Sequence, residues 1–248
     1  MDNWPIRISQ IVNLKLTKSI KHISFDLWMT LIRTHPEYKR KRAELFCHFF
    51  SVDNLELVEK AIRKIDLMAN HINETTGGNI DALELYMMVL QEVHPDWKSP
   101  GIDTLQSFYA ETEKLFNTYL PLAADDSVTQ ALQMVSDSGI TINILSNTGF
   151  IKGDMLRKAI EQLGWASYFM FTIFSDETGY SKPNIKMFQE VWNGVSKLNN
   201  AIEKSEVLHF GDNPFADVEG ASKFGFSAAL FSPKQTTFYQ QLEMVIKI

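Results

Sequence analysis

The chain has 248 residues, 45% of them hydrophobic, with a formal net charge of -6 and a pI near 5.5. That length holds one large α/β domain or a core with a smaller insertion, and the apolar content fills a sizeable interior. The acidic balance excludes broad binding to nucleic acid or anionic membranes, which needs a basic field, and the single cysteine, Cys47, excludes a disulfide-stapled scaffold.

In chain order, residues 1–20 read as an amphipathic lead-in, apolar at Ile6, Ile8, Ile11, Val12, Leu14 and Leu16, that packs beside the core. The N-terminus has neither a signal-peptide core nor a small-residue cleavage site, and no apolar run approaches the roughly 20 residues that span a bilayer, so the expected location is the cytoplasm. His22 to Leu27 is a short apolar run interrupted by a carboxylate, Asp26, as in a buried parallel strand that delivers a reactive group to its carboxyl edge. Arg33-Thr34-His35-Pro36 marks a turn, because proline disfavours helix at the residue before it.

From residue 37 to about 119 the period is helical. Helices are expected over 37–50, 54–70 and 82–93, the third capped by Asn79-Ile80-Asp81 and ended by His94-Pro95, with a fourth from about Gly101 to Leu120. Beyond Pro121 the period changes. Asp125 or Asp126 caps a helix to about Ser138, and strands are expected over Thr141–Leu145, Phe169–Phe174, Val207–Phe210 and Ser227–Phe231. Helices over 152–163 and Pro183–Leu198, and one opened by Pro214, alternate with them.

This order predicts an α/β fold, a doubly wound parallel sheet, with an inserted all-helical cap. The core takes residues 1–32 and 121–248, and the cap 33–120. Such sheets bind ligands beyond the carboxyl ends of their strands, and four of the five expected ends carry a polar group: Asp26, Ser146, Asp176 and Asp212. Asp26 and Asp212 supply the hard oxygens that Mg²⁺ prefers, Ser146 a hydroxyl donor, and Lys182 a positive point charge. A carboxylate nucleophile, a donor, a cation and a divalent metal are what phosphoryl transfer needs, which makes a small phosphomonoester the expected partner.

Four ordered motifs carry a resemblance: Phe25-Asp26-Leu27-Trp28-Met29-Thr30-Leu31; Ile144-Leu145-Ser146-Asn147-Thr148; Ser181-Lys182-Pro183 with Met187-Phe188 downstream; and His209-Phe210-Gly211-Asp212-Asn213-Pro214-Phe215-Ala216-Asp217-Val218-Glu219-Gly220-Ala221. Across residues 21 to 231 the chain resembles the haloacid dehalogenase-like hydrolase superfamily, in the subgroup whose helical cap follows the first motif. The resemblance implies that Asp26 is the nucleophile and a Mg²⁺ ligand, that the Trp28 backbone carbonyl and Asp212 complete the protein ligands, and that Thr30 braces the loop. It further implies that Ser146 and Asn147 hold phosphoryl oxygens, that Lys182 orients nucleophile and intermediate, and that Asp217, Asn213 and Asp176 support the metal site. The helical block would be a lid that excludes water.

Two positions depart from the pattern. Phosphatases of this superfamily carry a second aspartate two residues after the nucleophile as general acid and base; here that residue is Trp28, and Met29 stands where a glycine is usual. Three readings follow: a Mg²⁺-dependent phosphatase in which another group, His35 being nearest in sequence, or the substrate replaces the acid; a dehalogenase, whose halide leaves without a proton; or a phospho-ligand-binding protein without turnover. The remaining residues take plainer readings. Cys47 is an inert buried thiol, His22, His48, His71 and His94 are not ligands, and His209 packs under the site. The run Lys39-Arg40-Lys41-Arg42 is a solvated face or, alternatively, faces the cleft and draws in an anion.

Overall fold

A computed structural model describes residues 19–94, 101–234 and 236–246 of the chain. Nearly all of the expected lead-in over 1–20, and Pro95 after the third cap helix, lie outside the described residues.

Strand β1 (His22–Phe25) is followed by β2 (Ile32–Arg33), and four helices come next: α1 (Tyr38–Phe50), α2 (Leu55–Thr76), α3 (Ala82–Val93) and α4 (Ile102–Thr118). The chain returns through β3 (Leu122–Ala123) to α5 (Val128–Asp137), β4 (Thr141–Ser146), α6 (Gly153–Gln162), β5 (Phe169–Phe174), the single turn α7 (Ser175–Thr178) and α8 (Ile185–Leu198). It ends with β6 (Val207–Gly211), a one-turn π-helix at Pro214–Glu219, α9 (Gly220–Phe224), β7 (Ser227–Leu230) and α10 (Phe238–Ile246). The main sheet is parallel in the order β5-β4-β1-β6-β7, which puts β1 at its centre.

Helices cover both sheet faces because each has an apolar stripe. On one face α8 buries Met187, Phe188, Val191 and Val195 with Leu145, Val207 and Phe226; each such side chain contributes roughly 1.5–3 kcal/mol. Helices α5, α6 and α10 close the other face around Phe25, Ile144, Phe210 and Trp165. The cap helices have their own apolar cluster, built on Phe46, Phe50, Ile62, Tyr86 and Phe108, into which the core loop inserts Phe150.

The expected helices and strands are found, with four differences. Ser127, not Asp125 or Asp126, is the residue before α5, and Asp125 accepts from the Ser127 amide two residues too early to cap the helix itself. Helix α2 runs past residue 70 to Thr76, where Gly77 turns left-handed with φ 70°. Helix α8 begins at Ile185 rather than at Pro183, because Asn184 is its cap and accepts from the Lys186 amide. The strands β2 and β3, which pair antiparallel where the chain leaves and re-enters the core, are too short at two residues for any periodicity to announce them.

The loop after β1 carries Met29 in the left-handed region (φ 62°) with 53% of its surface exposed. Left-handed backbone costs a side-chain-bearing residue about 1–2 kcal/mol, while glycine gives back part of that through chain entropy. Met29→Gly is therefore expected to raise the thermal midpoint by about 2 °C in a chain of this size. An unchanged or lower midpoint in a melting experiment would mean that the Met29 side chain is contributing packing instead.

Candidate active site

Sheet register assembles the site before any side chain is considered. Phe25 pairs with Ile144 on one side and Phe210 on the other, so Asp26 is level with Leu145 and Gly211, and Ser146 and Asp212 lie one residue beyond. The Asp26 amide donates to the Phe210 carbonyl at 3.0 Å, fixing the first residue past the strand.

Lys182, only 1% exposed, points its ammonium into this edge. Nζ donates to Asp26 Oδ1 at 2.7 Å, to Asp217 Oδ1 at 2.7 Å and to the Leu145 carbonyl at 2.8 Å. The other Asp26 oxygen accepts from Thr30 Oγ1 at 3.0 Å. Asp217 is equally committed: Oδ1 lies 3.1 Å from His209 Nε2 and Oδ2 accepts from the Asn213 amide at 2.9 Å. Gly211 has no alternative here, since a Cβ at that position would sit 2.3 Å from Asp217 Oδ2. The π-helical turn that carries Asp217 starts from Asn213, whose Oδ1 accepts from the amides of Phe215 and Ala216.

Burial and charge act on these groups in opposite directions. Asp26 is pushed up by burial, against the pull of Lys182, and Asp212 is pushed up to about 7 by burial and by the nearby charges of Asp26 and Asp217. Burial also opposes ionisation of Asp217, yet Lys182 and His209 hold it below the usual carboxylate range. Lys182 loses to burial and gains more from Asp217 and Asp26, so it stays an ammonium, while burial pushes His209 down and keeps it neutral. One cation thus faces three carboxylates whose oxygens lie within 4.8 Å of one another, Asp26, Asp212 and Asp217. That deficit and an all-oxygen donor set suit a hard divalent ion, with Asp212 the least committed carboxylate, Asp26 accepting two hydrogen bonds and Asp217 facing three nitrogen donors.

The cluster opens into a cavity of about 330 Å³. Its core wall includes Asp26, Trp28, Asn147, Thr148, Lys182, Asp212 and Asn213, and its cap wall includes Lys39, Arg42, Asp66, Asn70, Asn73 and Glu74. The cap is tied down beside it. Asn79 Oδ1 accepts from Ser175 Oγ at 2.7 Å, Asn184 Nδ2 donates to the Gly77 carbonyl at 3.0 Å, and Asn213 Nδ2 donates to Glu74 Oε1 at 2.7 Å.

Several expected site residues have other tasks in this structure. The Asn147 side chain clamps the Lys182 backbone, accepting from its amide at 2.7 Å and donating to its carbonyl at 3.0 Å, so it positions the lysine and is not a free phosphate donor. Ser146 is fully buried with Oγ turned onto the Asn147 carbonyl at 3.1 Å, one layer behind the cavity wall. Asp176 accepts from Thr148 Oγ1 at 3.0 Å and from the Gly153 amide, which makes it a buttress of the second loop and not part of the acidic cluster of Asp26, Asp212 and Asp217. His35 accepts from the Glu37 amide and packs on Tyr119, so it forms the turn and stands in no position to replace the missing acid. His22 is a core residue, bonded to Thr141 and Asn143 and stacked on Phe171, and Cys47 is half-buried. Sequence reasoning missed the cap wall of α2, whose polar residues carry no motif.

Among the described residues no helix is long and apolar enough to cross a membrane. The model of a family described as haloacid dehalogenase-like hydrolase matches residues 20–225. Over 167 residues the chain is 26% identical to the ribulose-1,5-bisphosphate 5-phosphatase of Halopiger xanaduensis, a match that takes in 66% of this chain and 64% of that protein, less than two thirds of its length. Among solved structures, the hydrolase YfnB of Bacillus subtilis, bound to magnesium, is similar with a TM-score of 0.69 and 15% identity over 93% of this chain and 100% of that one. A 2-haloacid dehalogenase from Pseudomonas syringae is similar with a TM-score of 0.62 and 19% identity over 92% and 99%. At these identities the two solved structures speak for the fold alone.

Proposed function

The chain belongs to the haloacid dehalogenase-like hydrolase family, and from that premise we propose that it is a Mg²⁺-dependent phosphohydrolase of a small phosphorylated compound. The observation that carries this reading is the Asp26 carboxylate, held by Lys182 and Thr30 at the mouth of a cavity with Asp212 beside it. Similarity to a sugar-bisphosphate phosphatase supports it.

In this reading an Asp26 oxygen attacks phosphorus, the bond from phosphorus to the ester oxygen breaks, and the leaving oxygen departs with the bonding electrons and takes its proton from solvent water, since Trp28 has none to give. Water then attacks the aspartyl-phosphate, releasing inorganic phosphate and restoring Asp26. Lys182 orients the nucleophile and balances charge, and Asp217 and Asn147 hold Lys182 in place. Asp26, Asp212 and the Trp28 backbone carbonyl would hold Mg²⁺, and Ser146 would support the phosphoryl site from behind the wall through the Asn147 loop. Bound there, the ion neutralises charge on the phosphoryl oxygens. Residues 33–120 act as the lid, and the ribbon β2–β3 carries both crossings between lid and core.

Trp28 favours a second reading. It lines the cavity where the general acid is usual, and its indole cannot protonate an alkoxide, whereas displacement of halide by a carboxylate needs no proton. Asp212 argues against that reading, because carbon–halogen chemistry leaves a second carboxylate without a task.

Assays on p-nitrophenyl phosphate and 2-chloropropionate, with and without Mg²⁺, separate the two. Hydrolysis of the phosphate ester only when Mg²⁺ is present is the expected result, together with a phosphate adduct by intact mass during turnover, since Trp28 cannot activate the hydrolytic water. Metal-independent dechlorination with no phosphatase activity would replace this reading with the second.

A further inference from the structure

The basic run on α1 divides between two environments. Arg40 Nε and Lys41 Nζ both bond the Glu44 carboxylate, at 3.0 and 2.8 Å, whereas Lys39 and Arg42 line the cavity above Asp26. Arg42 is the unusual member. It is only 8% exposed, its guanidinium lies 4.6 Å from the ring centre of Phe150 and 5.5 Å from that of Tyr38, and its Nε is buried without a hydrogen-bond partner. Among the described residues no carboxylate forms an ion pair with it; what compensates its charge is the pull of Asp66 from the α2 wall and the phenols of Tyr38 and Tyr86.

A guanidinium remains charged wherever it is placed, and a buried one with an unpartnered Nε and no carboxylate in ion-pair contact is only partly compensated. Such a group, lining a cavity that also holds the reactive carboxylate, is a receptor for an anion. We propose that Arg42 binds a second anionic group of the substrate, a carboxylate or a phosphate, with Lys39 at the exposed rim. This rests on the phosphohydrolase reading and narrows its substrate class to small phosphomonoesters that carry a further negative charge. The cavity, near the lower end of the roughly 300–1,000 Å³ typical of ligand sites, suits a compact molecule of that kind. Asp66 and Glu74 on the α2 wall repel an anion, and Glu74 is already bonded to Asn213, so the second anion belongs on the α1 side.

The test uses three hydrolysis-resistant probes with Mg²⁺ present: propylphosphonate, 3-phosphonopropionate and propane-1,3-diphosphonate, measured by titration calorimetry. One charge-assisted contact gives about a tenfold preference or more, so the two probes with a second anion are expected to bind at least about tenfold tighter than propylphosphonate. The tighter of those two identifies carboxylate or phosphate as the group Arg42 takes. In Arg42→Gln the preference is expected to fall to within about threefold, in Arg42→Lys to an intermediate value, and in Lys41→Gln, an equal change of net charge on the outer side, to stay. Arg42→Lys and the wild-type comparison decide the matter if Arg42→Gln does not fold. Equal binding of all three probes by the wild type, or an undiminished preference in either Arg42 variant, overturns the inference and leaves the phosphohydrolase reading standing. No binding of any probe overturns both.

Discussion

Replacing Lys182 with methionine is expected to destabilise the protein by about 3–5 kcal/mol and to abolish turnover, because the change strips the only ammonium from two buried carboxylates. Nζ makes contacts of 2.7 Å to both Asp26 and Asp217, and the other basic group against them, His209 at 3.1 Å from Asp217, is held neutral by burial and does not touch Asp26 through any hydrogen bond. The pH dependence identifies the cause. In the wild type the depressed Asp217 contributes stability that is present above its unfolded value near 4 and is lost as pH falls through its lower folded value. Without Lys182, burial dominates and the folded values of Asp26 and Asp217 both lie above the unfolded one. The penalty is then fully present at neutral pH and shrinks as pH falls and the carboxyls protonate. Denaturant unfolding at pH 7 and pH 5 should therefore show a wild-type advantage that narrows on acidification. An advantage independent of pH would mean that the loss is one of packing and not of charge.

The sequence announces this network unevenly, and the reasons are physical. Asp26, Ser146 and Asp212 could be placed because parallel strands are read from apolar runs and their carboxyl ends form one edge; register then does the rest. Lys182 could be joined to them through the motif that contains it. What could not be read is which oxygen each side chain spends on a neighbour. Asn147 looks like a donor to substrate and is in fact folded back on the Lys182 backbone. Asp176 ends a strand as Asp26 does, yet it faces α6. The last turns of α2 failed for a different reason: hydrophobic periodicity detects a helix face that meets apolar core, and Asn70, Asn73 and Glu74 turn toward a polar cavity instead. The division of the basic run 39–42 was open on sequence alone, since helical spacing puts Lys39 and Arg42 on one side without saying what that side meets.

Trp28→Asp is expected to raise kcat/KM on alkyl phosphomonoesters by about 10²- to 10⁴-fold, the usual worth of a positioned general acid and base. Trp28 lines the cavity two residues beyond Asp26, and the turn is held from behind by the Met29 amide on the Ile32 carbonyl at 2.7 Å and the Leu31 amide on the Leu27 carbonyl at 2.9 Å. A carboxyl introduced there can protonate the departing alkoxide and then take a proton from water. The gain should depend on the leaving group. p-Nitrophenolate departs without protonation, so activity on its ester should rise far less, and the steep dependence on leaving-group pKa expected of the wild type should flatten. Because the half-buried indole packs against the core cluster, some stability is lost, less than the roughly 3–5 kcal/mol of a fully buried tryptophan. Trp28→Asn suffers the same loss of packing without gaining an acid and is the proper baseline. A folded Trp28→Asp protein no faster than Trp28→Asn on alkyl phosphates would show that the pocket is shaped for chemistry that never needed the proton, and would move the weight of the site to halide displacement.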